Sequence, residues 1–529
     1  MTFAGTGQLL RLVLRLERRA FPIWIAVFTL TPPMVAAAFE SLYPDPASLE
    51  QAAQAVGGNA AFTALLGEVY AATVGGLTAW RIGTVAALFA GIFSALTVIR
   101  HTRVEEETGR YELFGSMPIG RHAPLAAAVL ATLGANLAFA IGATVGLLAA
   151  GQPAEGSVAL GLAFGLTGWA FTGVGLLAAQ VTDSSRAARM IASSVLGAAF
   201  LLRMLGDSAD GFSWASWVSP LGWGGQLKAF ADEAWWVVVL PIGLALVTLA
   251  LAARVAMRRD IGAGLLRTRA GVAEAAGSFD SPWALAWRLQ RGVLLAWAIG
   301  VAVFGTVMGG VAPGVVDLGG GSEQFRELLE RMGGTEVLTD AFIAGVVGMF
   351  GMGVTAYAIL AILRLRTEEV ELRAEPVLAT GVTRTQWLLS HAAFAVGGTA
   401  IIMVVFGISA GVTFGVIEGD VPTQVARVLS AALVQLPATL TLAGLAVALV
   451  GWLPAHVGWS WGALAAAFLV SFLGAILGLD QVFLDLSPFT HTPQLPVAEF
   501  TVLPVALLSA VAVGLGAAGW FGLLQRDIA

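Results

Sequence analysis

The 529-residue chain contains no cysteine, one lysine and five histidines, and only 12% of its residues are charged. Without cysteine there is no disulfide framework, thiolate zinc site or paired-cysteine redox motif, and nothing from which to read the redox compartment. The lone Lys228 sits between Leu227 and Ala229. A phosphate-binding loop needs a glycine-rich turn followed by Lys and then Ser or Thr, so the chain has no such nucleotide site of its own. His101, His122, His391, His456 and His491 are scattered, and no HExxH pattern occurs. They read as satisfied or solvated side chains. With 28 Lys+Arg against 34 Asp+Glu the net charge is -6, and the basic residues are spread along the chain. That leaves no nucleic-acid footprint.

What the chain has in quantity is apolar length, at 57% hydrophobic residues and 65 glycines. A bilayer-spanning helix needs about 20 apolar residues. Twelve candidate runs can be read, six at about Phe21 to Phe39, Ile82 to Ile99, Ala123 to Ala150, Val158 to Val181, Met190 to Leu205 and Trp235 to Val255. The other six are at about Val293 to Val311, Ala341 to Leu363, Trp387 to Val416, Val428 to Val450, Val457 to Leu477 and Val502 to Leu524. The run from Met190 is the shortest. Arginines precede the first run, but no small-residue cleavage site follows it, and Pro32 and Pro33 suit a kinked membrane helix better than a secretory signal.

Arginine placement predicts the orientation, because basic residues near span ends stay on the cytoplasmic side. With the N-terminus inside, the inner segments carry Arg11, Arg15, Arg18 and Arg19, then Arg100, Arg103, Arg110 and Arg121, and further arginines up to Arg526. The outer loops carry only Lys228, Arg326 and Arg331, alongside many carboxylates. The expectation is a multi-pass protein of the cell membrane with both termini cytoplasmic.

The segment after the second run reads RVEEETGRYELFGSMPIGR from Arg103, and that after the eighth reads RTEEVELRAEPVLATGVTR from Arg366. Without a gap, Arg103, Glu105, Glu106, Arg110, Glu112 and Arg121 fall on Arg366, Glu368, Glu369, Arg373, Glu375 and Arg384, an offset of 263. Trp24 and Trp297, and Ser219-Pro220 and Ser487-Pro488, recur at similar separations. The fold expected is an all-α polytopic membrane protein of two tandem six-helix halves, 1–257 and 281–529, joined by a linker at 258–280 and related by an axis along the membrane normal. Before the first run, Gln8, Arg11, Arg15, Arg18 and Arg19 share one face of a helix whose leucines cover the rest, which suits the membrane interface. Phe325, Leu328, Leu329 and Met332 form a similar stripe on the outer side, with Leu49 to Val56 a weaker copy. Each acidic run reads as a short loop helix ending near Pro118 or Gly381. A charge run is usually a solvated face, yet a loop shaped only by solubility need not keep six charges in register, so docking to a partner protein is the expectation.

The EEETGRYEL run from Glu105, its copy from Glu368, the basic helix before Phe21 and the Ser219-Pro220-Leu221-Gly222-Trp223 stretch together resemble the permease subunits of ABC-type exporters. The similarity is to the single-chain, duplicated permeases of multidrug and polyketide antibiotic export. The resemblance implies that each acidic loop forms a coupling helix seated on a separate cytoplasmic ATPase subunit, with ATP and magnesium on that partner and two copies per permease. Glu105, Glu106, Arg110, Glu112, Glu368, Glu369, Arg373 and Glu375 would carry the coupling. The second loop departs from the first, with Val370, Glu371 and Leu372 in place of Glu107, Thr108 and Gly109. A hydrophobic cargo would pass between the halves, with Trp24, Phe28, Asn136, Trp169, Phe171 and Gln435 as candidate lining residues. Two other classes stay open: a proton-driven secondary multidrug transporter, disfavoured by the scarcity of ionisable residues at mid-span, and a membrane-embedded transferase using Asp207 and Asp210.

Overall fold

The structure, a computed structural model, describes residues 3–57, 60–110, 119–208, 211–260, 262–265, 277, 280–312, 335–473 and 480–528. The outer stripe from Phe325 to Met332, together with Glu112, Asp210 and most of the stretch 258–280, lies outside the described residues. The chain divides into two compact units, Met1–Gly271 and Val272–Ala529.

Eleven described helices are long and apolar enough to cross a membrane. Six belong to the first unit: Ala20–Leu42, Val74–Glu107, Ala123–Ala149, Ala154–Val181, Ser185–Ser208 and Trp235–Arg258, here spans one to six. The helical form follows from the solvent, since hydrocarbon offers no partners for peptide groups and a helix pairs them within one segment. The fifth span is longer than expected, because Ser185 to Arg189 continue the helix before the apolar run begins. Pro32 and Pro33 lie inside an unbroken span one.

Span four is the most enclosed helix of this unit. Its glycines let neighbours approach closely, as small residues do at membrane helix contacts. At Gly168 an added Cβ would lie 1.7 Å from Asn136 Oδ1 of span three. Asn136 is itself fully buried and donates to Ser94 Oγ at 2.8 Å and to the Thr132 carbonyl at 2.9 Å. The core beside it is aromatic: Phe28 stacks on Phe139 at 4.4 Å and Phe93 meets Phe139 edge-on at 5.1 Å, joining spans one, two and three.

The second unit holds Pro282–Val311, Thr339–Val370, Arg384–Glu418, Val421–Trp452 and Val502–Gln525, here spans seven to ten and twelve. The expected eleventh span corresponds to a helix described over Trp459–Leu473, and residues 474–479 lie outside the described residues. Phe350 and Phe406 stack at 4.0 Å at the core of this unit. Span nine takes a π-helical turn at Phe394–Gly398, where the Tyr357 hydroxyl donates to the Phe394 carbonyl at 3.3 Å. Spans ten and twelve cross where a Cβ on Gly519 would lie 2.4 Å from the Val447 carbonyl. The repeated Ser-Pro pairs have like anchoring roles: Ser219 Oγ donates to the Ala199 carbonyl at 2.5 Å, and Ser487 Oγ lies 2.8 Å from Ser471 Oγ.

The basic N-terminal segment is a separate helix, Thr6–Leu16, rather than an extension of span one. Leu9 and Val13 turn inward, with Leu9 against Ala123 and Ala127 of span three, while Arg11 and Arg15 are exposed. Glu17 ends it, accepting from Arg100 at 3.1 Å and lying 2.7 Å from His101 Nε2.

Candidate functional site

The acidic runs were expected as short loop helices ending near Pro118 and Gly381; the second has one, residues 111–118 of the first lie outside the described residues, and in both runs the first glutamates instead extend a span. Glu105 to Glu107 form the last turn of span two, reached through a π-helical turn at Arg100–Val104. Glu368 and Glu369 form the last turn of span eight. A separate short helix, Ala374–Ala379, follows only in the second unit's described residues. The spans run on because Glu and Arg are good helix formers and no glycine intervenes before Gly109.

At the acidic end of the first unit, Glu106 is the centre. Its carboxylate accepts from Arg103 at 2.5 Å and from both terminal nitrogens of Arg259, at 2.6 and 2.9 Å. That two-pronged fork is the strong geometry for an arginine and a carboxylate. Arg103, fully enclosed, also donates to the Thr182 carbonyl and, at 2.9 Å, to that of Ala263. Arg259 further donates to Gln180 Oε1 at 2.8 Å. Arg121 closes the arrangement by donating to the carbonyls of Ala256 at 3.1 Å and Arg259 at 2.9 Å. It thereby satisfies carbonyls that a helix C-terminus leaves without partners.

The second unit repeats this pattern. Glu369 accepts from Arg366 at 2.8 Å and from Arg526, the counterpart of Arg259 just past span twelve. Arg384, the counterpart of Arg121, donates to the carbonyls of Leu523 and Leu524 at 3.1 Å and of Arg526 at 2.6 Å. One residue earlier, Glu105 pairs with the exposed Arg110 at 3.1 Å, and Glu368 pairs with Arg364 at 2.6 Å and Arg373 at 2.9 Å. The hydrogen bond to Glu368 raises the Arg373 pKa above the usual arginine value; burial opposes it, and attraction to Glu368 and Glu371 adds to the rise. Glu107 accepts from the Ser185 backbone at 2.5 Å at the start of span five, a favourable place for a carboxylate.

The register of the six charges is therefore explained largely from within each unit. Glu106 and Glu369 are enclosed in internal ion pairs, whereas Arg110, Arg373 and Glu375 are exposed. Arg259 and Arg526 were not singled out in the sequence. Their signal was the tripeptide Arg-Asp-Ile, present at 259–261 and again at 526–528.

The candidate cargo residues separate in the same way. Trp24 and Phe28 line one apolar groove of about 490 Å³ with Phe89 and Phe164, between spans one and two. Asn136 and Phe171 are fully buried in packed core, and Gln435 is enclosed, accepting from Thr492 at 3.2 Å. Trp169 Nε1 is taken up by the Leu133 carbonyl at 3.1 Å. At the opposite end of this unit a small cavity of about 50 Å³ is lined by Glu68, Tyr70, Trp80, Arg203 and Asp207. Arg203 lies within span five and donates to Thr84 at 2.7 Å, and its guanidinium is 3.5 Å from Asp207. Asp207 also accepts from Ser216 at 2.5 Å. Among the described residues no group of three His, Asp or Glu could hold a metal ion.

A polytopic helical protein whose two units close their acidic ends in the same way, and which carries an aromatic groove at span depth, has the build of a membrane permease. The chain is 40% identical to the multidrug efflux system permease protein Rv1217c of Mycobacterium tuberculosis over 527 residues, covering 99% of this chain and 96% of the relative. Residues 279–523 match the model for the C-terminal domain of the multidrug efflux system permease Rv1217c. The chain belongs to this family of ABC-type exporter permeases and is a multi-pass membrane protein.

Proposed function

We propose that this chain is the membrane subunit of a drug exporter whose power comes from ATP hydrolysed elsewhere. A separate cytoplasmic ATPase subunit, in two copies, docks on the acidic ends of spans two and eight and brings the ATP and magnesium. Both termini then face the cytoplasm. Arg110, Arg373 and Glu375, which are exposed, form the contact surface with the partly covered Glu105, while the enclosed Glu368 holds Arg373 in place. The observation that carries the reading is the near-full-length match to a multidrug efflux permease, and the like-built acidic ends supply two docking places in one polypeptide. Hydrophobic cargo engages the groove between spans one and two. Its volume lies within the roughly 300–1,000 Å³ of small-molecule sites, and its walls are aromatic. The test is purification from a host that also makes the cognate ATPase. The expected result is a complex of one permease and two ATPase chains whose ATP hydrolysis rises with hydrophobic drugs. A chain that moves drug without any ATPase subunit would overturn the reading.

A second reading, proton-driven transport, is favoured by one observation: Arg203 and Asp207 are charged residues enclosed within span five, and Glu68 lines the same cavity. Ionisable groups inside spans mark proton relays in many transporters. Here Arg203 and Asp207 already hold each other and their neighbours. Transport that survives ATP depletion but stops when the proton gradient is dissipated would establish this alternative.

A further inference from the structure

Each acidic end is fastened twice to the same helix. In the first unit, Glu106 at the start of the connecting segment is gripped by Arg259, and Arg121 at its far end caps the carbonyls of Ala256 and Arg259. In the second unit, Glu369 and Arg384 are fastened in the same way to Arg526 and the carbonyls before it. A segment pinned at both ends to one helix terminus cannot shift without taking that helix along. We propose that Arg259 and Arg526 are positioning residues that bind the last span of each unit to the acidic end, so that force from a docked ATPase is delivered to spans six and twelve. This rests on the docking reading above.

Burial makes a purely stabilising role a poor account of the pair. The side chains of Glu106 and Arg259 are 4% and 6% exposed, and that of Glu369 is fully enclosed. Removing paired charges from water costs most of what their attraction returns, and apolar replacements of the same size often serve as well. Yet both units keep the pair, from residues 153 and 157 positions apart in sequence. The exposed Arg110 and Arg373, paired with Glu105 and Glu368 one residue earlier, are available to a partner, and the enclosed carboxylates of Glu106 and Glu369 pass the pull inward.

The experiment uses the full chain with its ATPase, comparing Arg259→Gln plus Arg526→Gln with Arg259→Lys plus Arg526→Lys. The Gln pair is expected to assemble and keep basal ATP hydrolysis within about twofold, while drug-stimulated hydrolysis and transport fall at least tenfold. The Lys pair, which keeps the charge, is expected to recover much of that loss. Because the chain lacks cysteine, spin labels at Thr108→Cys and Met257→Cys, both exposed, report directly on the link. In the otherwise unaltered chain their separation should stay constant between nucleotide-free and ATP-trapped states. A changed separation overturns the inference even if the Gln pair fails to fold, as do unaltered stimulation in the Gln pair or equal losses in the Gln and Lys pairs. Failure of the unaltered chain to hold an ATPase overturns the docking reading and this inference with it.

Discussion

Leu372 adopts the left-handed backbone conformation of Gly109, its counterpart 263 positions earlier, with φ of 56° against 70°. Both residues donate their N–H to the carbonyl three positions back, Glu106 or Glu369, at 3.1 and 2.9 Å. Each ends its span just beyond the acidic turn. Glycine is the ordinary residue there because it has no Cβ to clash with the following carbonyl. The second unit keeps the turn while leucine carries the strain.

That strain predicts opposite effects for exchanging the two residues. Leu372→Gly should stabilise the protein by about 1 kcal/mol and Gly109→Leu should destabilise it by about 1–2 kcal/mol, since a left-handed non-glycine residue costs that much. Thermal melting of the detergent-purified chain reads both. Equal melting temperatures would mean that the backbone relaxes at this turn.

Neighbouring glutamates should differ in worth. Glu106→Gln leaves two enclosed arginines short of their carboxylate and should cost about 3–5 kcal/mol, whereas Glu105→Gln weakens a pair with an exposed arginine and should cost at most about 1 kcal/mol. Denaturant titration of the two variants ranks them. The reverse ranking would contradict the internal role of Glu106.

The close crossing of spans three and four makes Gly168 intolerant of any side chain. Gly168→Ala would drive a methyl group into Asn136 and should cost about 1–3 kcal/mol. Gly134, with open space around its Cβ position, is the control, and Gly134→Ala should melt like the parent.

Cargo contact in the groove predicts a change in drug preference without loss of the complex. Trp24→Ala and Phe89→Ala each remove an aromatic wall worth about 0.5–1.5 kcal/mol to a stacked ligand. Drug concentrations for half-maximal stimulation of ATP hydrolysis should rise about two- to tenfold, with basal hydrolysis unchanged. Identical drug curves for parent and both variants would place the cargo elsewhere.

Topology is checked with single cysteines in the cysteine-free chain. Thr108→Cys should react with an impermeant thiol reagent only after the membrane is opened, and Ser213→Cys should react in intact cells. Labelling of Thr108→Cys from outside would reverse the orientation argued from the arginines.

The amino-acid sequence by itself determined the helical, membrane-spanning character, the approximate placement of the spans and the repeat of the acidic runs. These are local properties: apolar length dictates a helix in hydrocarbon, and an ungapped charge pattern can be matched against its copy. It also brought Trp24 and Phe28 together, since residues four apart share one helix face. Tertiary structure alone decided which charges stay exposed and which face their own chain. Glu105 and Glu106 are adjacent and chemically identical, and only folding brings Arg259, 153 positions away, onto the second of them. The same holds for Asn136, whose amide meets Ser94 of span two and lies against Gly168 of span four only once these helices pack together. Helix period assigns a residue to a face. What that face meets depends on how distant helices pack, and that determines whether a charge is left exposed or becomes an internal tie.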